Sequence, residues 1–391
     1  MSPKSGLMPP PISATERRTR VDRLAEAPAD AGLGAVLLGS TTSLRYFTGI
    51  AWSSSERLVG AVIHADGAID YVCPGFERTK IEALVTLPGE ILTWEEHEDP
   101  YALVAGALKT GARLGVDDAV ALFVFLGLRR ALGEGRLADA GPQINRLRRQ
   151  KSHAELALMT RAKAITLEVQ RRARAALAPG MRMSDVISFV DKEHRKLGAA
   201  GGSSFCLVSF GDDSCLPHGG EEDRALSEGD VVLIDTGCRL DGYNSDITRT
   251  YVFGDAPKRV REVWALEKEA QAAAFDAAKL GALCENVDAA ARAVLERAGL
   301  GPDYRLPGLP HRTGHGIGLD VHEAPNLVRG DQTALAPGMC FSNEPMIVIP
   351  GAFGVRLEDH FYMGEAGPVW FTPPAASIDD PFASAPAFAS A

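Results

Sequence analysis

The sequence predicts a mixed α/β domain over residues 1–150, followed by an α+β domain over 151–391 that uses one plan twice. Length is the first reason, because 391 residues exceed what one ordinary hydrophobic core organises. The second is the alternation of β-branched runs with helical patterns through most of the first 150 residues. The third is an order of helix, helix, strand and acidic hairpin that occurs twice. The helix starts fall at 152 and 258 and the hairpin starts at 231 and 339. One offset shared by four elements implies an internal structural duplication, although the residues themselves do not visibly repeat.

Residues 1–12, rich in proline and serine, read as an arm. Ser13 and Glu16 then form a capping-box start for a helix reaching about Asp30. AVLLGS is a strand, Asp66 and Gly67 turn a hairpin, and a helix near 76–87, a strand over 90–95 and a helix near 100–110 follow. RLGVDD and the helical ALFVFLGLRRAL continue the alternation, and the basic RLRRQK at 146–151 reads as a solvated helix end. Ser152 and Glu155 make a second capping box opening a long helix that Pro179 and Gly180 stop. Ser184 starts another, ending near Gly198, before a strand around FCLVSF. In the second copy a long helix runs from Lys258, just after Pro257, to about Leu280, and a shorter one covers 287–298.

Composition narrows the class of function. Apolar residues make up 46% of the chain and its mean hydropathy is near zero, as in a soluble globular protein. No apolar run approaches the ~18 residues of a membrane span, and the polar start MSPKSGLMPPPIS lacks a signal-peptide core. The six cysteines are scattered without CxxC spacing, as expected of reduced thiols in a cytoplasmic protein. A net charge of −10 disfavours a nucleic-acid partner.

The chemistry concentrates in the two hairpins. In VVLIDTGCRLDGYNSDITRTYVF, residues 231–253, an Asp241-Gly242 turn of two residues pairs Leu240 with Tyr243 and Asp235 with Thr248. Asp235 and Asp246 then leave one face on diagonal positions, roughly 7 Å apart; a three-residue turn would separate them. In MCFSNEPMIVIPGAFGVRLEDHFYM, residues 339–363, a five-residue loop from Pro350 to Gly354 sets Glu344 opposite His360, diagonal to Glu358. Between the hairpins HRTGHGIGLDVHEAP carries His311, His315 and His322. Four carboxylates would repel one another without cations, and two divalent ions offset them. Oxygen-rich ligation with one imidazole suits Mn²⁺, Co²⁺, Fe²⁺ or Zn²⁺ and differs from a structural thiolate zinc. The glycines of GHGIGLD do not fit GxGxxG spacing, so no dinucleotide site is expected.

The motifs DTGCRLDGYNSD, TGHGIGLDVHE, SNEP and GVRLED, in that order, resemble the pita-bread metallopeptidases, the family of methionine aminopeptidases, Xaa-Pro aminopeptidases and prolidases. The resemblance covers about 152–363. The preceding domain is similar to the N-terminal domain of the creatinase and prolidase branch, and LRYFTGI, SERL and EDHFYMGEAGPVWFTPP resemble bacterial Xaa-Pro dipeptidases. The resemblance implies a pita-bread catalytic domain whose halves meet about a pseudo-twofold axis. It implies two metal ions, manganese first among the candidates, with Asp235 on one, His315 and Glu344 on the other, and Asp246 and Glu358 bridging. It also implies that His218 and His322 face substrate, that Glu344 moves a proton, and that the protein is a homodimer.

His311, four residues before His315, is either a group that orients a ligand or substrate or a packed loop histidine. Arg356, two residues from Glu358 and on its face, either orients a carboxylate ligand, receives the substrate's C-terminal carboxylate or makes an ordinary ion pair. Arg45, Tyr46, Trp52 and Arg57 cluster after a strand of the first domain, where they either limit substrate length or pack. The expected activity is hydrolysis of Xaa-Pro dipeptides, with no nucleic acid and no membrane as partner. The alternatives are an Xaa-Pro aminopeptidase on longer peptides, a non-peptidase hydrolase or lyase of the same fold, and a silent peptide-binding module.

Overall fold

The computed structural model describes residues 8–30, 32–382 and 388, so residues 1–7 of the proline-rich arm lie outside it. The chain divides into two compact units. The smaller spans Ile12–Arg148, and the larger takes residues 8–11 together with everything described from Arg149 onward. Residues 8–11 of the arm group with the larger unit.

The smaller unit runs α1 (Ala14–Asp30), β1 (Leu33–Leu38), α2 (Thr42–Thr48), β2 (Gly60–His64), β3 (Ile69–Pro74), α3 (Arg78–Leu84), β4 (Glu90–Trp94), α4 (Pro100–Ala107), β5 (Arg113–Val116), α5 (Leu122–Leu132), β6 (Leu137–Asp139) and α6 (Gly141–Arg149). Its sheet has the order β4-β3-β2-β1-β5-β6, with β1–β2 and β2–β3 antiparallel and the other pairs parallel. Ser13 Oγ accepts the Glu16 N–H at 3.1 Å, as its spacing predicts.

Helix α2 is absent from the sequence reading. Thr41 caps it by accepting the Ser43 N–H, and Gly49 ends it with φ +85. This helix makes Tyr46 a core residue, its hydroxyl donating to the Leu147 carbonyl at 2.9 Å and its ring 4.0 Å from the Arg20 guanidinium. Arg57 is tied to Glu96 at 2.9 Å and also to Glu56, while Lys80 lies 4.0 Å from the Trp52 ring centroid. The patch at 146–151 is not a solvated end, because two of its cations are buried on partners. Arg148 donates to Ser43 Oγ at 3.1 Å within the smaller unit, and Lys151 meets Glu323 at 2.9 Å within the larger.

The larger unit opens on α7 (His153–Ala176) and α8 (Met183–Lys196), followed by β7 (Ser203–Phe210), β8 (Val231–Leu240), β9 (Tyr243–Asn244) and β10 (Ile247–Val252). The Ser152–Glu155 capping box closes in both directions. The second half brings α9 (Lys258–Ala277), α10 (Cys284–Arg297), β11 (Gly314–Gly316), β12 (Glu323–Leu327), β13 (Cys340–Asn343), β14 (Met346–Ile349), β15 (Phe353–Arg356), β16 (Asp359–Gly364) and β17 (Gly367–Trp370). Strand order matches between the halves, β7-β8-β10 in one and β11-β13-β16 in the other. The duplication is thus one of topology, with β12, the β14–β15 ribbon and β17 added to the second copy. A buried cluster including Trp264, Phe341, Ile347, Val355 and Phe361 packs α9 and α10 against that copy's strands.

Both hairpins are interrupted, the first at Asp246 and the second at Glu344 and Glu358. In the first, Asp241 and Gly242 have φ of +44 and +84, the pair of left-handed residues that a two-residue turn needs. Leu240 pairs with Tyr243 and Asp235 with Thr248, as read from the sequence. The second hairpin corrects the reading. Ile349 pairs with Phe353, so the loop has three residues, Pro350 to Ala352, with Gly351 at φ +69. Ser342, not Glu344, therefore stands opposite His360, and Glu344 and Glu358 fall together in the gap between the paired segments.

Candidate metal centre

Asp246, Glu344 and Glu358 sit just outside strand ends, whereas Asp235 lies within a strand. Asp235 belongs to β8 between Leu207 and Thr248, and Asp246 is the second of the two residues that separate β9 from β10. The approach is close at Gly237, where a Cβ atom would lie 1.9 Å from the Ser245 carbonyl oxygen, so only glycine fits. The backbone N–H of Glu358 donates to the Thr248 carbonyl at 3.1 Å, joining the second hairpin to the first. That of Glu344 donates to the Thr313 carbonyl at 2.8 Å, beside the histidine strand.

Asp246, His315 and Glu358 are all buried, and each offers one ligand atom in a group whose members lie within 4.8 Å of one another. Glu344 joins through His315, its Oε1 3.1 Å from Nε2. The ring is oriented for this: Nδ1 lies 2.9 Å from the Gly316 carbonyl, a contact that assigns the hydrogen to Nδ1 and leaves a lone pair at Nε2. That lone pair faces Glu344 Oε1 and, at 4.0 Å, Asp246 Oδ2. An electron pair between two carboxylate oxygens calls for a cation.

Unpartnered atoms repeat the demand. Among the described residues Asp235 Oδ1, Asp246 Oδ1 and Glu358 Oε1 are buried without a hydrogen-bond partner, although the other oxygens of Asp235 and Glu358 are held. Arg356 Nη2 meets Asp235 Oδ2 at 2.6 Å, Arg356 Nε donates to Thr248 Oγ1 at 3.1 Å, and Thr248 Oγ1 donates to Glu358 Oε2 at 2.7 Å. The donor set is four carboxylates and one imidazole with free oxygens on three acids, which fits hard or borderline divalent cations.

The electrostatics follow. Burial, then the charges of Glu358, Asp235 and Glu344, raise the Asp246 pKa well above the usual carboxylate range, and burial with Glu344 and Asp235 does the same to Glu358. Burial opposes ionisation of Glu344 too, but positive charge at the His315 ring outweighs it and holds that carboxyl well below its ordinary value, a part that a cation at the Nε2 lone pair would equally play. A carboxyl with a raised folded pKa contributes stability below its unfolded value and loses it as pH rises through the folded one. Asp246 and Glu358 should therefore make the chelated protein less stable as pH rises above about 4, with Glu344 acting in the opposite sense. Divalent metal reverses the loss, by about 3 kcal/mol at a hundred times its Kd. Melting with chelator and with Mn²⁺ at pH 5 and pH 8 tests this. The metal-induced gain should be larger at pH 8, and a gain that shrinks with pH would refute the charge argument.

The remaining sequence candidates differ in position. His322 packs edge-on against His315 with ring centroids 4.2 Å apart, and burial and then His315 lower its pKa to about 4. His311 is directed to backbone, with Nδ1 2.7 Å from the Arg312 carbonyl, and burial lowers its pKa. His218 is exposed in the loop after Cys215 and is not among the clustered ligands. It is nevertheless close enough for its charge to act on His322. Arg356 is a carboxylate's partner through Asp235, and its Nη1 reaches the Pro217 carbonyl at 3.4 Å, beside His218.

Two buried groups escaped the sequence reading. His360 lies two residues past Glu358, so strand alternation turns it to the same side. Lys163 is fully buried, donating to the Asn244 carbonyl at 3.0 Å, and burial lowers its pKa to about 8. Its signal is positional: Met159, Lys163, Thr166 and Gln170 are spaced as one helix face, and a lysine there is the exception.

Comparison with known proteins agrees with this geometry. Residues 157–365 match Metallopeptidase family M24, and residues 20–150 match the Creatinase/Prolidase N-terminal domain. A probable dipeptidase, PepE, of Mycobacterium bovis is 38% identical over 357 residues, covering 90% of this chain and 92% of that protein. The Xaa-Pro dipeptidase of Lactobacillus delbrueckii subsp. lactis is 30% identical over 348 residues, covering 87% and 92%. The crystal structure of a prolidase from Thermococcus sibiricus superposes with a TM-score of 0.83 at 29% identity, over 91% of this chain and 97% of that one.

Proposed function

From the premise that this chain belongs to metallopeptidase family M24 and carries a creatinase/prolidase N-terminal domain, we propose that it hydrolyses the peptide bond preceding proline, with Xaa-Pro dipeptides as its substrates. In this reading residues 1–150 are the creatinase-type domain and 151–391 the catalytic domain. Asp235, Asp246, His315, Glu344 and Glu358 hold two divalent ions, manganese first among them given the oxygen-rich donor set. The observation that carries the reading is the set of buried, unpartnered oxygens on Asp235, Asp246 and Glu358 beside the Nε2 lone pair of His315. The proline preference rests on relatives named Xaa-Pro dipeptidase and prolidase.

When bound, divalent ions lower the pKa of a water and polarise a carbonyl. Glu344, whose Oε1 lies beside the Nε2 lone pair where a cation would sit, is the base that would take the water's proton and return it to the departing nitrogen. A proline nitrogen has no hydrogen of its own in the peptide, so this delivery is required for it to leave. Arg356 keeps Asp235 and, through Thr248, Glu358 in place. His322, with a proton affinity lowered to about 4, is neutral at pH 7 and offers a hydrogen-bonding edge to substrate. His218, near it and exposed, is the second substrate-facing imidazole. His311 supports the loop that carries His315.

All six cysteines are free, and no helix among the described residues is long and apolar enough to cross a membrane, in keeping with a cytoplasmic enzyme. We take the working form as a homodimer by resemblance. A panel of Xaa-Pro, Xaa-Ala and Xaa-Pro-Yaa peptides with Mn²⁺ or Co²⁺ tests the function. Turnover confined to the longer peptides would make the protein an Xaa-Pro aminopeptidase. Equal turnover of Xaa-Ala and Xaa-Pro would remove the proline preference, and no turnover would remove the peptidase reading.

A further inference from the structure

His360 is fully buried, and neither of its ring nitrogens has a hydrogen-bond partner among the described residues. Leaving a polar ring unpaired in a protein interior costs about 1–3 kcal/mol, so a group in this state asks for a partner. Two candidates face it. Nε2 is 3.7 Å from Glu358 Oε1, and the backbone of Asp246 approaches the ring without closing a hydrogen bond. Glu358 Oε1 is itself buried and unpartnered, whereas Oε2 is held by Thr248 Oγ1 at 2.7 Å. Two orphaned atoms thus face each other across a gap roughly 0.7 Å longer than a hydrogen bond. His360 is not in the compact group formed by Asp246, His315 and Glu358, and its ring centroid is 6.4 Å from that of His315. The ligand oxygen that its Nε2 faces is Glu358 Oε1, so His360 is placed to act on Glu358.

We infer that His360 is a positioning residue of the metal centre, donating from Nε2 to Oε1 of Glu358 and so fixing the carboxylate at both ends, with Thr248 on Oε2. A carboxylate clamped at both oxygens cannot rotate out of the centre, and it loses less freedom when it receives a cation. The ring's side chain is otherwise hard to explain, since burying an unpaired imidazole gives the core nothing that a leucine would not.

The inference rests on the two-metal reading, and the parent protein's own Co²⁺ binding separates the two. A parent that binds no Co²⁺ overturns that reading and this inference with it. Given a parent that binds, His360→Ala should bind Co²⁺ about 10–100-fold more weakly by calorimetry, with a changed visible d–d band. His360→Gln, which keeps a donor near the Nε2 position, should stay within a few-fold of the parent. Parent-like affinity and spectrum in His360→Ala would overturn the proposal, and so would His360→Gln as weak as His360→Ala. Melting of the chelated variants is the control for packing: a lower melting temperature with unchanged Co²⁺ affinity assigns His360 to the core and also overturns it.

Discussion

Asp246→Asn is expected to lose turnover of Xaa-Pro peptides by roughly a thousand-fold or more, together with its high-affinity divalent metal. Asp246 is buried and stands between Glu358, Asp235 and His315 in the one group that concentrates ligand atoms among the described residues. An amide there supplies no charge. Its NH₂ group would compete with a cation for the carboxylate oxygens around it. Divalent ions stabilise the transition state of carbonyl hydrolysis by several kcal/mol, and about 4 kcal/mol corresponds to a thousand-fold in rate. The same substitution removes one of the cluster's four carboxylates, the one whose ionisation burial and then Glu358, Asp235 and Glu344 oppose, so the chelated variant should melt no lower than the chelated parent. Co²⁺ calorimetry, kcat/KM on an Xaa-Pro dipeptide and melting with chelator measure the three effects. Retained metal affinity with parent-like turnover would remove Asp246 from the centre. A protein that is only a peptide-binding module would show no turnover in the parent and unaltered peptide binding in the variant.

Arg249→Met should destabilise the larger unit by about 3–5 kcal/mol, the cost of breaking a buried ion pair by removing one partner. Arg249 and Asp359 are both completely buried, with Nη2 2.7 Å from Oδ1. Nη1 donates to the carbonyls of Thr248 at 3.1 Å and Glu358 at 2.9 Å, so the guanidinium joins the break in the second hairpin to the strand of the first. Without it the Asp359 carboxylate keeps only Gln271 Nε2, at 3.1 Å, as a donor to its other oxygen. Urea unfolding measures the loss. The double variant Arg249→Met/Asp359→Leu should recover part of it, because a buried pair replaced on both sides leaves no uncompensated charge. A loss under about 1 kcal/mol in the single variant, or a double variant less stable than the single, would show that the pair does not hold the hairpins together. Metal affinity should fall alongside stability, since Thr248 and Glu358 flank the contact.

Strands, helices and caps were largely legible because their signals are local. Ser13 with Glu16 and Ser152 with Glu155 each specify a helix start within four residues, and both starts form. Helix α2 was missed because TSLRYFT is short and its defining marks, Thr41 and Gly49, lie outside any apolar period. The two hairpins divide the same way. Asp241-Gly242 is nearly unambiguous, since its turn needs two left-handed residues and these two tolerate that conformation. Pro350-Gly351-Ala352-Phe353-Gly354 offers loops of three or five residues, and only the pairing of Phe353 with Ile349 chooses between them.

The candidate site divides along the same line. Turn chemistry places Asp235 and Asp246 on one face, the motif resemblance picks out His315 and completes the five with Glu344 and Glu358, and the second hairpin's register had to come from the structure. Packing decided the rest. Arg356 found Asp235 across 121 positions, His360 came to face Glu358 in a sealed interior, and Lys163 was enclosed on a helix face that a cation would normally avoid. Such partners depend on which distant surfaces are pressed together and how far water is excluded, and no local pattern carries that information.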